Sequence, residues 1–315
     1  MPFARAIVPA TLAAFIFASS SRPQTLLGRQ AEASVLRPVQ ESIDAGDAAE
    51  ARRRLDRLDP QQRASARGQL LEATVLHQEG ELLESLTLAL AVIEQEPRNG
   101  DAYKLFGLDT AQLGKPDLAE PYFQQAVTLA PRDPQARHYL GVNLTQLSRP
   151  AEAIEQLQEA LRLDPQLLDA RYALGIAYEM TGDFGAAKAT YREAILATKN
   201  QAITDVTPYL YLGRLLAADE RWDDAADLFG QATRLNPSNG AGWYQYGRAL
   251  LGLDKPEEAL RAIDKASSLE PADPRPHYQR MLALKQLGRL SEARQAAAAF
   301  DRLRKNDQSS ASGSP

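Results

Sequence analysis

The sequence predicts an all-α protein built from stacked helix pairs, and three observations carry that expectation. Ala, Leu, Gln, Glu and Arg fill every long segment, while β-branched runs are nearly absent. Glycines recur on a fixed step: Gly107, Gly141 and Gly175 stand 34 residues apart, as do Gly213 and Gly247. One skeleton also returns in different letters, as LAEPYFQQAVTLAP (118–131), AEAIEQLQEALRLDP (151–165), WDDAADLFGQATRLNP (222–237) and PEEALRAIDKASSLEP (256–271). A fixed period of this size marks a stacked-repeat architecture.

The offsets inside each unit say what each position does. Twelve residues after the glycine comes an alanine: Ala119, Ala153, Ala187, Ala225, Ala259. Four later stands a large residue (Phe123, Leu157, Tyr191, Phe229, Ile263), and three further a second alanine (Ala126, Ala160, Ala194, Ala232, Ala266). Each unit holds two helices on a 3.6-residue apolar period. The glycine and first alanine are expected to face each other at the helix crossing, with the large residue filling the gap beside it. Proline closes most units (Pro97, Pro131, Pro165, Pro237, Pro271) because it cannot continue a helix and biases the preceding residue away from α.

This pattern resembles the tetratricopeptide repeat, most closely at Trp243-x-x-Tyr246-Gly247-x-x-Leu250, then Ala259-x-x-x-Ile263 and Pro271. The resemblance covers about 32–307. It implies a right-handed α-solenoid with units at 66–99, 100–133, 134–167, 168–201, 206–239 and 240–273. Residues 32–65 form a degenerate N-terminal capping repeat, expected to be short or distorted because Pro38 falls in its first helix. Residues 274–305 form a degenerate C-terminal cap, in which Arg280 and Met281 replace the packing Leu and Gly, and 306–315 read as a disordered tail. An insertion at 199–205 adds four residues to the period. It reads as a tolerated loop in preference to a functional hinge, with Thr207-Pro208 restarting a helix as N-cap and first helical position.

The N-terminus reads differently. Met1–Arg5 carries one arginine, Ala6–Ala18 is largely apolar, and small residues Ala18, Ser19 and Ser20 follow. This is the pattern of a cleavable export signal over 1–20, followed by a linker over 21–31. It implies a periplasmic or secreted product with no stable membrane anchor, the alternative being an uncleaved membrane anchor. There is no cysteine, so disulfides, thiolate nucleophiles and cysteine metal sites are absent. A net charge of −5 argues against a nucleic-acid binder, which needs clustered Lys and Arg.

No catalytic or cofactor motif stands out. The acid pairs Asp223-Asp224 and Glu257-Glu258 fall at the start of second helices, as do Asp117, Glu152, Asp183 and Glu292, where negative charge complements the helix dipole. His77, His138 and His277 lie in different units without metal-ligand spacing. The expected function is therefore a non-catalytic protein-interaction scaffold with no cofactor or metal. An accessory subunit of an envelope assembly or secretion machine is the alternative, and a hydrolase using groove carboxylates is disfavoured.

The resemblance further implies a concave groove lined by the first helices, where repeat positions 5, 6 and 9 are among those that face a partner. Position 5 gives Lys104, His138, Tyr172, Tyr244 and Tyr278, position 6 gives Tyr139 and Tyr211, and position 9 gives Arg214 and Arg248. Tyr139, Tyr172, Tyr211, Arg214, Tyr244, Arg248 and Tyr278 are the expected partner-binding residues, suited to a peptide or segment with acidic groups or a free C-terminus. The family's lysine–asparagine carboxylate clamp is missing, since Leu108 follows Lys104, and only Asn143 lies on a first helix, too few for an asparagine ladder.

Overall fold

The computed structural model describes residues 26–200 and 204–311. They form seventeen helices and no strand, in two compact units divided after Glu81. The expected export signal lies outside the described residues.

The first unit contains α1 (Leu26–Asp44), α2 (Ala48–Leu55), the short α3 (Pro60–Ala64) and α4 (Ala66–Glu79). Its core joins Leu36, Val39 and Ile43 of α1 to Leu55 of α2 and to Leu71 and Val75 of α4. Pro38 does not shorten α1, which starts at Leu26 and runs through it. The apolar residues flanking the proline, Leu36 and Val39, are buried and anchor the helix on both sides of the missing amide. Asp59 and Gln62 form a reciprocal capping box on α3.

The second unit opens with α5 (Leu82–Gln95) and continues as helix pairs. These are α6 (Gly100–Gln112) with α7 (Pro116–Leu129), α8 (Pro134–Gln146) with α9 (Pro150–Leu163), and α10 (Leu168–Thr181) with α11 (Phe184–Asn200). Next come α12 (Thr207–Ala218) with α13 (Trp222–Leu235), α14 (Gly240–Gly252) with α15 (Pro256–Leu269), and α16 (Arg275–Gln286) with α17 (Leu290–Ala311). Within this unit each helix packs on its chain neighbour, and first helices approach first helices: α6 to α8, α8 to α10, α12 to α14, α14 to α16. The unit is an all-α solenoid.

One contact recurs at five successive crossings, and it corrects the expected pairing. The glycine lies beneath the large residue of the second helix, not against the side chain of the first alanine. A methyl group on Gly107 would stand 2.8 Å from Phe123, on Gly141 2.5 Å from Leu157, and on Gly175 2.3 Å from Tyr191. The corresponding distances are 2.6 Å from Phe229 at Gly213 and 2.6 Å from Ile263 at Gly247. Helical side chains lean toward their own N-terminus, so the residue one turn beyond the alanine swings back over the crossing. The alanine supplies backbone proximity instead, its carbonyl 3.3 Å from that methyl position at Gly141 and 3.4 Å at Gly247.

The last pair inverts this arrangement. Met281 takes the glycine's place on α16, and the position of the large residue on α17 is Ala297. Bulk has moved from the second helix to the first, and Met281 packs into the cluster of Leu260, Ala283, Leu284, Ala293 and Ala296. Helix α17 also continues through Ala311, past the expected start of the tail at 306.

A second recurrent feature sets the turn within each pair. Residues Gly46, Gly80, Gly114, Ser148, Gly182, Glu220, Asp254 and Gly288 all have positive φ. They sit on the 34-residue step, widened only across the insertion, and end the first helix in the left-handed conformation. Three are not glycine and bear the steric cost of a Cβ there. The insertion lengthens α11 to Asn200 and moves the restart: Thr207 is already helical, Val206 precedes it, and the Asp205 side chain accepts from the Thr207 amide.

Two stability measurements follow from these positions. Gly175→Ala drives a methyl into the fully buried Tyr191 ring and is expected to lower unfolding stability by about 1–3 kcal/mol in denaturant titration. Glu220→Gly relieves the left-handed strain and is expected to raise stability by about 0.5–1 kcal/mol, more than Asp254→Gly, because Asp tolerates this conformation better than Glu.

Candidate partner-binding face

The first helices carry all seven residues singled out above, and the structure places them in several separate environments. Tyr139 is largely taken by packing: its ring lies 6.2 Å from Phe123 and 5.1 Å from His138, and burial raises its pKa. Tyr172 donates its hydroxyl to Asp205 at 2.6 Å. Tyr278 is exposed beside Phe300, with ring centres 5.6 Å apart.

Tyr211 and Arg214 belong to a four-residue cluster. The Tyr211 ring stacks on Tyr191 at 5.2 Å, and the Arg214 guanidinium lies 5.8 Å from the Tyr211 ring centre. Glu179 joins them, accepting from the Tyr191 hydroxyl at 2.7 Å and from Arg214 Nη2 at 2.8 and 2.7 Å. Burial, then this hydrogen bond, pushes the Tyr191 pKa up, so its hydroxyl stays protonated and donates. Arg214 is therefore engaged by a carboxylate of its own chain. Its side chain is 49% exposed while Glu179 is 14% exposed, so the inward partner is the acid.

The cluster has a structural reason. Helices α10 and α12 flank the insertion, and their backbones approach less closely than those of α8 and α10 or of α12 and α14. Polar side chains span the gap: Glu179 to Arg214, and Tyr172 to Asp205 at its other end.

Tyr244 and Arg248 form the second group. Arg248 lies 5.9 Å from the Tyr244 ring centre and donates to Gln245 at 3.0 Å. A residue absent from the sequence expectation completes it: Arg275 of the next first helix lies 5.2 Å from the same ring. Asp273 holds Arg275, with oxygens 2.9 and 3.0 Å from Nε. Among the described residues Arg248 makes no ion pair. Tyr244 thus has two guanidiniums near its ring, one of them without a carboxylate.

Position 5 has an unexpected role. Lys104 reaches Asp133 at 2.7 Å and Asp101 at 2.8 Å, and Tyr172 reaches Asp205. Asp133 and Asp205 also accept from the amides that open the following first helix. Position 5 of one unit is thereby tied to the cap acid of the next. Burial alone would lower the Lys104 pKa, but the hydrogen bonds to Asp101 and Asp133 outweigh it and raise it. Burial likewise opposes ionisation of Asp205, and hydrogen bonds from Thr207 and Tyr172 overcome it.

His138 breaks the series. The cap position ahead of α10 is Leu167, which has no side-chain cap bond, and buried Nδ1 of His138 has no hydrogen-bond partner. Burial holds its pKa below the ordinary 6.5, against the opposing charge of Asp169. Asn143 is consumed structurally, donating to the Pro116 carbonyl at 2.9 Å.

Three of the acids at the starts of second helices, Glu152, Asp224 and Glu292, also hold an arginine, a pairing the dipole reading did not include. Arg149 and Arg289 pair with Glu152 and Glu292 at 2.6 and 2.5 Å and lower both carboxyl pKa values. Arg221 pairs with Asp224 at 2.5 Å. Carboxylates held in the ionised form are poor general acids. Among the described residues there is no group of acids or histidines that could hold a metal ion, and no helix long and apolar enough to cross a membrane.

These stacked helix pairs, most with a glycine at the crossing, define a helical-repeat protein. Residues 105–167, 144–204 and 216–284 match profiles described as tetratricopeptide repeat, together more than half of the chain. The chain belongs to the tetratricopeptide repeat family. It is similar to the peroxisomal targeting signal receptor of Kluyveromyces lactis, 32% identical over 94 residues, covering 29% of this chain and 17% of that protein. It is also similar to the Protein STIP1 homolog of Dictyostelium discoideum, 33% identical over 93 residues, covering 30% and 16%. The chain thus spans less than a fifth of these relatives. Among solved structures, the APC/C hetero-tetramer Cut9-Hcn1 shares the fold at TM-score 0.65 and 18% identity, covering 78% of this chain and 48% of that one. A tetratricopeptide repeat protein from Parabacteroides merdae aligns at TM-score 0.55 and 16% identity, covering 81% and 99%.

Two expectations separate these environments. Arg214→Glu sets like charges against Glu179 and should lower the thermal midpoint by several degrees, whereas Arg248→Glu should leave it within about a degree. The unfolded chain binds a proton at His138 more readily than the folded chain, so stability falls as pH drops below 6.5. His138→Gln should flatten that part of the profile, measured by thermal melts between pH 7 and 5.

Proposed function

We propose that this chain is a non-catalytic scaffold that binds an extended or helical segment of a partner protein along its first helices. The observation that carries the reading is the Arg248–Tyr244–Arg275 group, where two guanidiniums lie within 6 Å of one aromatic ring (5.9 and 5.2 Å) and Arg248 has no carboxylate of its own. Such a group offers broad apolar contact from the ring and forked donors for a carboxylate, from an acidic side chain or a free C-terminus. Tyr278, exposed on the same first helix as Arg275, extends it. Arg214 contributes less to capture, because binding a partner carboxylate there competes with Glu179.

We further propose that the chain acts outside the cytoplasm, on the evidence of the charged start, apolar stretch and small residues over 1–20. Mass spectrometry of the purified protein should show an N-terminus near residue 21, and an intact Met1 in a cytosolic fraction would overturn this assignment.

The binding proposal is tested by affinity purification from cell extract, comparing wild type with Arg248→Glu and Tyr244→Ala. The expected result is one partner retained by wild type and lost from both variants at unchanged thermal midpoint. A partner retained equally by all three would remove this group from the site.

A further inference from the structure

Helix α14 presents a second, different surface. At about 100° per residue, Trp243, Tyr246 and Leu250 project roughly 150° away from Tyr244 and Arg248. They line a cavity of ≈ 430 Å³ with Glu258, Arg261 and Lys265 of α15. This is within the size range of small-ligand and side-chain pockets.

The residues explain why the recess exists. Ala262 of α15 also lines it, and its short side chain leaves the space between the aromatic wall and the charged helix unfilled. Tyr246 lies against Gly230 of α13, 3.5 Å from where a methyl on that glycine would stand. Trp243 and Tyr246 meet edge to face, with ring centres 6.4 Å apart. The Trp243 indole N–H is bound to the Pro237 carbonyl at 2.9 Å, so this wall is fixed before any ligand arrives.

The rim carries a charge signature. Arg261 and Lys265, one helical turn apart, are both exposed, and among the described residues neither makes an ion pair. Other cations among the described residues, including Arg149, Arg162, Lys188, Arg221, Arg280 and Arg289, hold a carboxylate, while some, such as Lys255 and Arg294, do not. What sets Arg261 and Lys265 apart is their place on the lining of the recess. Two unpaired cations beside an aromatic recess are complementary to a carboxylate next to a bulky apolar group.

We propose that this recess is a second docking site, separate from the first-helix face, for an acidic peptide segment of a partner protein that inserts one phenylalanine or leucine against Trp243 and Tyr246. Carboxylates flanking the anchor pair with Arg261 and Lys265, and Glu258 disfavours acidic residues at its own end, giving the segment a direction. The chain can then hold two segments at once, from one partner or two.

The test uses Trp243 as reporter. The full-length chain is titrated with acetylated, amidated pentapeptides DDFDD, DDADD and KKFKK while tryptophan emission is followed. The expected result is a saturable shift with DDFDD, and binding weaker by about tenfold or more with DDADD or KKFKK. The double variant Arg261→Glu/Lys265→Glu, confined to exposed positions, should weaken DDFDD by a similar factor at an unchanged thermal midpoint. Arg248→Glu should bind DDFDD like wild type, so failure here and failure of the first-helix site are distinguishable. No saturable shift, equal response to all three peptides, or DDFDD binding that survives the double variant would each overturn the proposal.

Discussion

A glycine held under one large side chain is the contact on which the rest of this molecule depends. At Gly107, Gly141, Gly175, Gly213 and Gly247 the first helix has no side chain, and Phe123, Leu157, Tyr191, Phe229 and Ile263 occupy the space. The two helices can then approach closely enough for the flanking alanines to be buried completely. Burying each large residue contributes about 1.5–3 kcal/mol, and the contact also sets the register between helices. The pair Met281 and Ala297 keeps the combined bulk while reversing its direction, so the constraint is on the sum of the two side chains and not on glycine itself. The 34-residue step follows from repeating that contact.

Stacking of units adds polar ties to this apolar contact. Lys104–Asp133 and Tyr172–Asp205 each join a first helix to the cap of the next, and Glu179–Arg214 spans the junction widened by the insertion. These ties decide which groups remain available to a partner. Residues tied to a neighbouring unit's acid are committed, and the uncommitted ones, Tyr244, Arg248 and Tyr278, gather toward the C-terminal units. An interaction protein needs both kinds, since an ordered face presents its free groups with little entropy lost on binding.

Much of this was legible in the sequence. Periodicity located the helix pairs, and the glycine–alanine–large–alanine offsets located the crossings, because those positions are dictated by contact within one unit. The pairing of glycine with the large residue was missed because spacing shows which residues are small, not which way a helical side chain leans. Ser148, Glu220 and Asp254 were unreadable as left-handed turns, their residue types giving little hint without the register of Gly46, Gly80, Gly114, Gly182 and Gly288. The engagement of Arg214 by Glu179 and the arrival of Arg275 over Tyr244 depend on how units stack, at separations of 35 and 31 residues. Counting one unit onward from each first-helix position could have found Arg275.

The central claim is that each crossing from α6 to α17 takes bulk on one helix or the other, not on both or neither. A double-mutant cycle at an interior crossing tests it most directly, using Gly141→Met, Leu157→Ala and the combination, with stability measured by denaturant unfolding. The account predicts that each single change is strongly destabilising, Leu157→Ala by about 2–5 kcal/mol. It predicts that the double variant, which recreates the Met281–Ala297 arrangement, recovers about 1–3 kcal/mol relative to the sum of the two. Additive losses, with no recovery in the double variant, would contradict it.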